Sequence, residues 1–528
     1  MSRYDAFRLA RMLLLLLLGG IFVWLAVGKP VSRRSRVVIL ATLGAALLSY
    51  SNFGFFHMGW GHIHYWDAFH YFMGPKYLPE LGYTRLYEAA VVAGRELGEL
   101  GTVTHIRDLT TYSARGVDAI DAPAVRGRFS EKRWQAFKSD FAFFLPHLPW
   151  PGPLLDHGYN DPPPRALLLH VLLRWIPANL LTLTLLTSLD YLLIVVAYWA
   201  VRRAFGEIAA GLAFAFFALS FFARFDLIGG SILRWDWIAA LLIGLAAFAR
   251  GSGATAGVLL GYAVLARVFP ILFLVPPAMK WIQARLRRSG HETLASCLCL
   301  AAGLIVVVTL GIAATEATRG LIPEFFARMR LHNAVPSINR VGLGSLLTVH
   351  AALDTALWDE GGPRVLQDAM VAARPAAYVL PLVSTLYLLV AVPLIRRASS
   401  LESVMYAVPL VFFALSPTGY YYSFLVLLVL LPWQTGQPDN VRLLGMGVLT
   451  FNMAVSYAFE HISGEWLTLF YQASIQMVLF FVLWLGFEYA RLGVRAPTAV
   501  TAAHLPSGLF TPDREGPKRP SRRPEASG

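Results

Sequence analysis

Cysteine is almost missing from this chain of 528 residues: Cys297 and Cys299 are the only two, and they share one apolar run. A disulfide framework and a spaced zinc motif are thereby excluded. Charge is scarce too, with Asp, Glu, Lys and Arg at 15%, against roughly 25% in an ordinary soluble domain. There is no glycine-rich loop in a strand-to-helix setting, so nothing in the pattern cradles a nucleotide. Nor is there an internal repeat, the mark of many transporters. What is present is apolar: 56% hydrophobic residues and a mean hydropathy of +0.55. The class left is an all-α, polytopic transmembrane protein. A formal net charge of +13 invites nucleic acid, but its distribution follows membrane topology, so no nucleic-acid partner is expected.

Apolar runs long enough to span, orientated by Lys/Arg on the cytoplasmic side, predict about 13 spans. The first is Met12–Gly28, followed by the basic patch Lys29, Arg33, Arg34 and Arg36; the second is Val37–Phe56. The others fall near 180–201, 206–223, 235–249, 254–266, 268–282, 293–314, 376–395, 403–418, 421–435, 442–459 and 467–490. Arg202/Arg203, Arg250, Lys280/Arg285/Arg287/Arg288, Arg396/Arg397, Arg442 and Arg491/Arg495 then mark the cytoplasmic ends. Between spans two and three, residues 57–165 carry 11 Lys/Arg, 12 Asp/Glu and seven of the 13 histidines. That balance predicts a large extracytoplasmic loop with interfacial helices. The first span lacks a small-residue cleavage site and reads as retained. The Pro/Ser/Arg-rich stretch 496–528 reads as a disordered basic cytoplasmic tail, leaving 1–495 as one transmembrane domain.

Polar residues at membrane depth mark function, and five places stand out. The first is His57, His62, His64, Tyr65, Trp66, Asp67, His70 and Tyr71, where helical spacing puts Asp67 on one face with His64 and His70. Three readings fit: Asp67 as a general base beside His64 and His70, a metal site of His62, His64, Asp67 and His70, or an interfacial aromatic belt. The second is Lys76-Tyr77 through Pro79, Gly82 and Tyr83 to Leu86-Tyr87, a turn between amphipathic pieces. Next comes Tyr159-Asn160-Asp161 before Pro162-Pro163-Pro164-Arg165, opening an apolar run too short to span. The fourth groups Arg224, Asp226, Arg234 and Asp236 at span ends with Arg267, able to grip a phosphate or to cap carbonyls. The last is a pair of outer loops, Arg328 to Ser345 (with His332) and Ser416-Pro417 to Tyr422 (with Tyr420). Their cations, amides and tyrosines suit a phosphate plus a sugar, and are also ordinary loop chemistry.

In this order the features resemble the GT-C superfamily of integral membrane glycosyltransferases. They are closest to the family-87 group with its polyprenyl-phosphate-mannose-dependent mannosyltransferases. The resemblance rests on Trp66-Asp67, Lys76 to Tyr87, Tyr159 with Pro162-Pro163, Arg267-x-x-Pro270 and Ser416-Pro417 before tyrosines, spread over residues 60–435. It implies transfer of a hexose, mannose by analogy, from a polyprenyl-phosphate donor to a glycolipid or cell-envelope glycan at the outer face of a bacterial plasma membrane. It also implies inversion, Asp67 as base, and no cofactor beyond the lipid-linked donor. The donor phosphate and sugar would meet Arg267, His332, Lys76, Tyr159 and Tyr420; His64 and His70 would face the acceptor. The chain departs from the pattern where Asn160-Asp161 separate Tyr159 from the prolines, and where 88–158 forms an apparent insertion. No Asp-x-Asp pair accompanies Asp67, against the metal-dependent branch. The competing classes are a transporter or flippase of a lipid-linked substrate, a membrane transferase with another donor, and a noncatalytic assembly protein.

Overall fold

A computed structural model describes residues 3–28, 32–57, 61–286, 291–316, 320–335, 337, 339–348, 367–368, 370–434, 438–463 and 466–494. The expected tail at 496–528, and Arg287, Arg288 and Arg495, lie outside the described residues. Helix dominates. Five helices are long and apolar enough to cross a membrane: Arg3–Ala26, Leu180–Phe205, Met370–Arg397, Asn440–Ser463 and Leu469–Leu492. They have 24 to 28 residues. At about 1.5 Å per residue each exceeds a hydrocarbon core of roughly 30 Å. The chain is a membrane protein.

The other apolar helices are shorter, 10–17 residues, because polar side chains and breaks cut the runs. The second expected span, Val37–Phe56, is also cut short, to a helix of 18 residues. Its helix runs Arg33–Tyr50, begun by a capping box at Ser32. It ends there because Asn52 and Phe53 take φ of 53° and 56°. The Asn52 side chain is engaged instead with Arg11, Asp226 and the Phe56 carbonyl. The apolar stretch 254–282 divides as its charge and proline predict. Helix Gly253–Arg267 stops at Val268, with φ 57°, and the chain continues through the short turn Phe269–Leu274 into Val275–Leu286.

Helix Leu180–Phe205 shows how one sequence serves lipid and protein. Leu183, Thr187, Asp190, Ala197 and Val201 are buried; Leu181, Leu185, Leu192 and Trp199 are exposed on the other face. In lipid the apolar face gains nothing by leaving its solvent, so helices associate through close packing and polar pairs. Small residues permit that approach. A side-chain carbon at Gly257 would collide with the Leu300 carbonyl, and one at Gly303 with the Ala254 carbonyl. Gly257 and Gly303 therefore set the contact between helices Gly253–Arg267 and His291–Glu316.

Ion pairs lie at opposite ends of the long helices. On Asn440–Ser463, Arg442 in the first turn meets Glu402 at 2.5 Å and Glu488 at 2.8 Å, while Glu460 at the far end pairs with Arg224. Arg442, read from the sequence as a cytoplasmic marker, is thus buried inside a network that Tyr406 and Arg491 complete.

Residues 61–178 form a unit with its own apolar core. Phe69, Tyr87, Ile106, Tyr112, Trp134, Phe137, Phe141 and Phe144 are buried together. Among the described residues the only sheet is here, a two-stranded hairpin pairing His105–Arg107 with Ala114–Gly116. The stretch 88–158, which looks like an insertion in the sequence, supplies most of this core.

Candidate functional site

Asp67 owes its place to a short run of backbone anchors. The N–H of His64 donates to the Gly230 carbonyl at 2.9 Å. Gly230 has φ +69°, and a side-chain carbon there would strike the His62 carbonyl, so only glycine brings these segments so close. Helix Tyr65–Ala68 then starts with His64 as its cap, Nδ1 accepting the Asp67 N–H at 3.1 Å. Burial lowers the His64 pKa against the opposing pull of Asp67, which keeps the ring neutral and able to accept. A π-turn, Phe69–Met73, follows directly; such turns are rare and concentrate at functional sites.

The buried Asp67 carboxylate meets Arg234, Oδ1 lying 2.9 Å from Nη2. Its other oxygen, Oδ2, is buried without a hydrogen-bond partner among the described residues. Arg234 Nη2 also donates to the Tyr420 hydroxyl at 3.2 Å, and its guanidinium lies 3.8 Å from the centre of the Tyr71 ring. The backbone fixes Arg234 from below. Asp190, on helix Leu180–Phe205, accepts the N–H of Arg234 at 2.9 Å and of Trp235 at 3.1 Å. These are orphan donors at the start of helix Asp236–Ala249, capped from another helix.

Beside this pair runs a chain of charges. Asp161 pairs with Arg267 through one oxygen and with Arg165 through the other. Arg165 reaches Asp236 at 2.9 Å, and Asp236 also accepts from the Tyr262 hydroxyl at 2.8 Å. The neighbour of Asp161 links the two halves, Asn160 accepting from the Tyr71 hydroxyl at 2.7 Å. Burying so many ions is costly unless each is paired. Here the carboxylates face guanidiniums, yet Arg267 Nε and Nη2 have no partner among the described residues.

The fold thus brings together Asp67, Arg267, Tyr420 and, through Tyr71, Tyr159. The Tyr159 ring stands edge-on to Tyr71 at 5.3 Å and parallel to Tyr83 at 5.9 Å, with its hydroxyl unpartnered among the described residues. Three expected residues are engaged elsewhere. Lys76 is held by Asp140 and the Ile176 carbonyl, both at 2.5 Å, inside the 61–178 unit. His70 turns away from Asp67, bonding the Trp66 carbonyl at 2.9 Å and the Tyr87 hydroxyl at 2.8 Å, because the π-turn breaks the helical spacing. His332 belongs to a separate buried group, 3.2 Å from the Tyr112 hydroxyl and 5.3 Å from the His157 ring. The supposed metal set also diverges: His62 goes to Thr187, His64 to the Asp67 N–H and His70 to Tyr87. Among the described residues no group of three or more His, Cys, Asp or Glu side chains is placed to hold a metal ion.

Asp190 and Tyr262 escaped the sequence reading. Each had a signal, a polar group inside an apolar run that membrane depth makes costly. With this geometry established, comparison with known proteins adds no relative: no family model, curated protein or solved structure matches the chain.

Proposed function

We propose that the chain is an inverting membrane glycosyltransferase. It takes a hexose, mannose by resemblance, from a polyprenyl-phosphate donor and passes it to a lipid or cell-envelope glycan acceptor. In this reading about 13 segments cross the membrane, the unit 61–178 stands on the extracytoplasmic face, and the Arg442 network lies toward the cytoplasm.

One observation carries the reading. The Asp67 carboxylate is buried, fixed by Arg234 through Oδ1 at 2.9 Å, and has Oδ2 unpartnered among the described residues. Such a group is oriented but not saturated, as a general base must be. Oδ2 takes the proton of the acceptor hydroxyl while the hydroxyl oxygen attacks the anomeric carbon. The bond from that carbon to the phosphate oxygen breaks, and its electron pair leaves with the lipid phosphate. Arg267, with Nε and Nη2 uncommitted among the described residues, supplies positive charge where negative charge develops. His64 holds the backbone of Asp67 and acts by positioning it.

The test is transfer by the purified chain in lipid, with radiolabelled polyprenyl-phosphate sugars and membrane-extract acceptors, with and without chelator. Asp67→Asn is expected to cost about 10²–10⁴-fold in rate, while wild type survives chelation. Equal transfer by both proteins removes Asp67 from the mechanism. No transfer with any donor, alongside uptake or flipping of a lipid-linked substrate, moves the assignment to a transporter.

A further inference from the structure

Arg234 does more than hold Asp67. Its Nη2 is spent on Asp67 and Tyr420, but Nε and Nη1 have no partner among the described residues, and the residue is 4% exposed. Arg267 repeats the arrangement: Nη1 is spent on Asp161 and the Ala266 carbonyl, Nε and Nη2 are unpartnered among the described residues, and it is 8% exposed. The two stand against one aromatic pair. Arg234 lies 5.2 Å from the Tyr420 ring centre and Arg267 lies 6.0 Å from that of Tyr421, the rings being 4.4 Å apart. Both guanidiniums thus face the same pair of tyrosine rings. Adjacent residues steady both from the other side, Asn160 through Tyr71 and Asp161 directly.

Two buried guanidiniums, each keeping donors in reserve, match a ligand that only accepts hydrogen bonds and carries negative charge. A buried unpaired donor is expensive, and guanidinium edges fit phosphate oxygens in pairs. A neutral sugar hydroxyl offers lone pairs but no charge; a phosphate offers both.

We propose that Arg234 and Arg267 together form a two-arginine site for a phosphate, Arg267 gripping it through its Nε–Nη2 edge and Arg234 adding a single hydrogen bond from Nε or Nη1 while Nη2 keeps its hold on Asp67. The proposal rests on the transferase reading only in taking this phosphate to be the donor's. Arg234 then couples the two ends of the reaction. The residue that orients the base also touches the leaving group, so a bound donor and a correctly aimed base come together.

The experiment measures phosphate binding without requiring transfer. The full chain is placed in nanodiscs of zwitterionic lipid and titrated with short-chain polyprenyl monophosphate, inorganic phosphate and phosphatidylglycerol. Arg234→Gln alone leaves Asp67 as an uncompensated buried charge, so the informative pair is Asp67→Asn and Asp67→Asn with Arg234→Gln. Asp67→Asn is expected to bind polyprenyl monophosphate at least as tightly as wild type, and the double variant about tenfold more weakly. Arg234→Lys, which keeps the charge but not the planar guanidinium that reaches Asp67 and the phosphate together, should fall between. Binding of inorganic phosphate with equal affinity assigns a soluble phosphate; binding of the polyprenyl compound alone assigns a lipid headgroup. Equal binding by Asp67→Asn and the double variant overturns the proposal even if wild type transfers sugar. So does failure of wild type to bind either phosphate. Phosphate binding that depends on Arg234, in a protein that transfers no sugar, upholds the site and removes the transferase reading instead.

Discussion

The carboxylate of Asp190 accepts the backbone N–H of Arg234 at 2.9 Å, and so controls the residue that grips Asp67 without touching its side chain. Asp190 comes from helix Leu180–Phe205 and Arg234 from the start of another. The contact converts the packing of two helices into the aim of one guanidinium. Replacing Asp190 by Ala leaves the N–H groups of Arg234 and Trp235 uncapped. The expected loss is about 0.5–2 kcal/mol of stability, together with lower transfer; Asp190→Asn should be intermediate. Thermal unfolding and transfer rates of the three proteins check this, and unchanged values in Asp190→Ala would remove Asp190 from the site.

Lys76 offers a sharper separation of structure from function. Its ammonium is 2.5 Å from Asp140, and Asp140 also accepts from the Tyr77 hydroxyl and the Ala178 N–H. Lys76→Met alone strands a buried carboxylate, at a cost of about 3–5 kcal/mol. Adding Asp140→Asn neutralises that charge and keeps a polar side chain facing the other partners. The double variant is expected to regain most of the melting temperature and to retain transfer. A folded double variant that no longer binds donor would return Lys76 to the phosphate.

Acid should loosen the 61–178 unit and the segments packed against it. Burial lowers the pKa of His157 and of His332, whose neighbouring cations push the same way, and burial with the nearby His64 holds His57 down at about 4. The folded chain keeps these rings neutral while the unfolded chain protonates them near pH 6.5. Stability is therefore retained above about pH 6.5 and lost as pH falls below it. Asp156, kept ionised by His157 and Trp66 although burial opposes this, loses its contribution further down, as pH drops through the ordinary carboxylate range. Melting temperatures between pH 8 and pH 5 test the histidine part. Replacing His157 by Gln should flatten the slope; an identical slope would place the titration elsewhere.

The closeness of two helices at Gly257 predicts a steric penalty. Gly257→Val pushes into the Leu300 backbone, which cannot yield as a side-chain tip can. The expected cost is about 1–3 kcal/mol or more. Gly44→Ala, where no atom lies within 4 Å of the added carbon, should be near neutral. Thermal unfolding of both in detergent decides. If Gly257→Val melts with wild type, the two helices are not in contact there.

Much of this architecture was legible in the residues. Apolar length foretold the long helices, since a bilayer leaves the backbone no partner but itself. The break at Arg267 followed from a charge and a proline in an apolar run. The polar places around Asp67, Asn160-Asp161, Arg234-Trp235-Asp236, Arg267 and Tyr420 could each be picked out, because charge near lipid is costly and is kept for a reason. His70 and Lys76 show where local reasoning stops. Helical spacing put His70 beside Asp67, but the π-turn sent it to Tyr87, and the neighbours of Lys76 in sequence gave no hint of Asp140.

By itself, then, the sequence determined that this is a helical membrane protein and which of its residues are too polar to be idle. Hydrophobic length and the cost of burying charge are local properties and can be read along a chain. Only the tertiary structure decided the pairings: Asp67 with Arg234, Asp161 with Arg267, Arg442 with Glu488. Those depend on where helices cross, which is set by small residues such as Gly257 and by left-handed turns at Asn52 and Val268. An ion pair forms between whatever side chains the crossings bring within reach, and no rule of sequence spacing connects such partners.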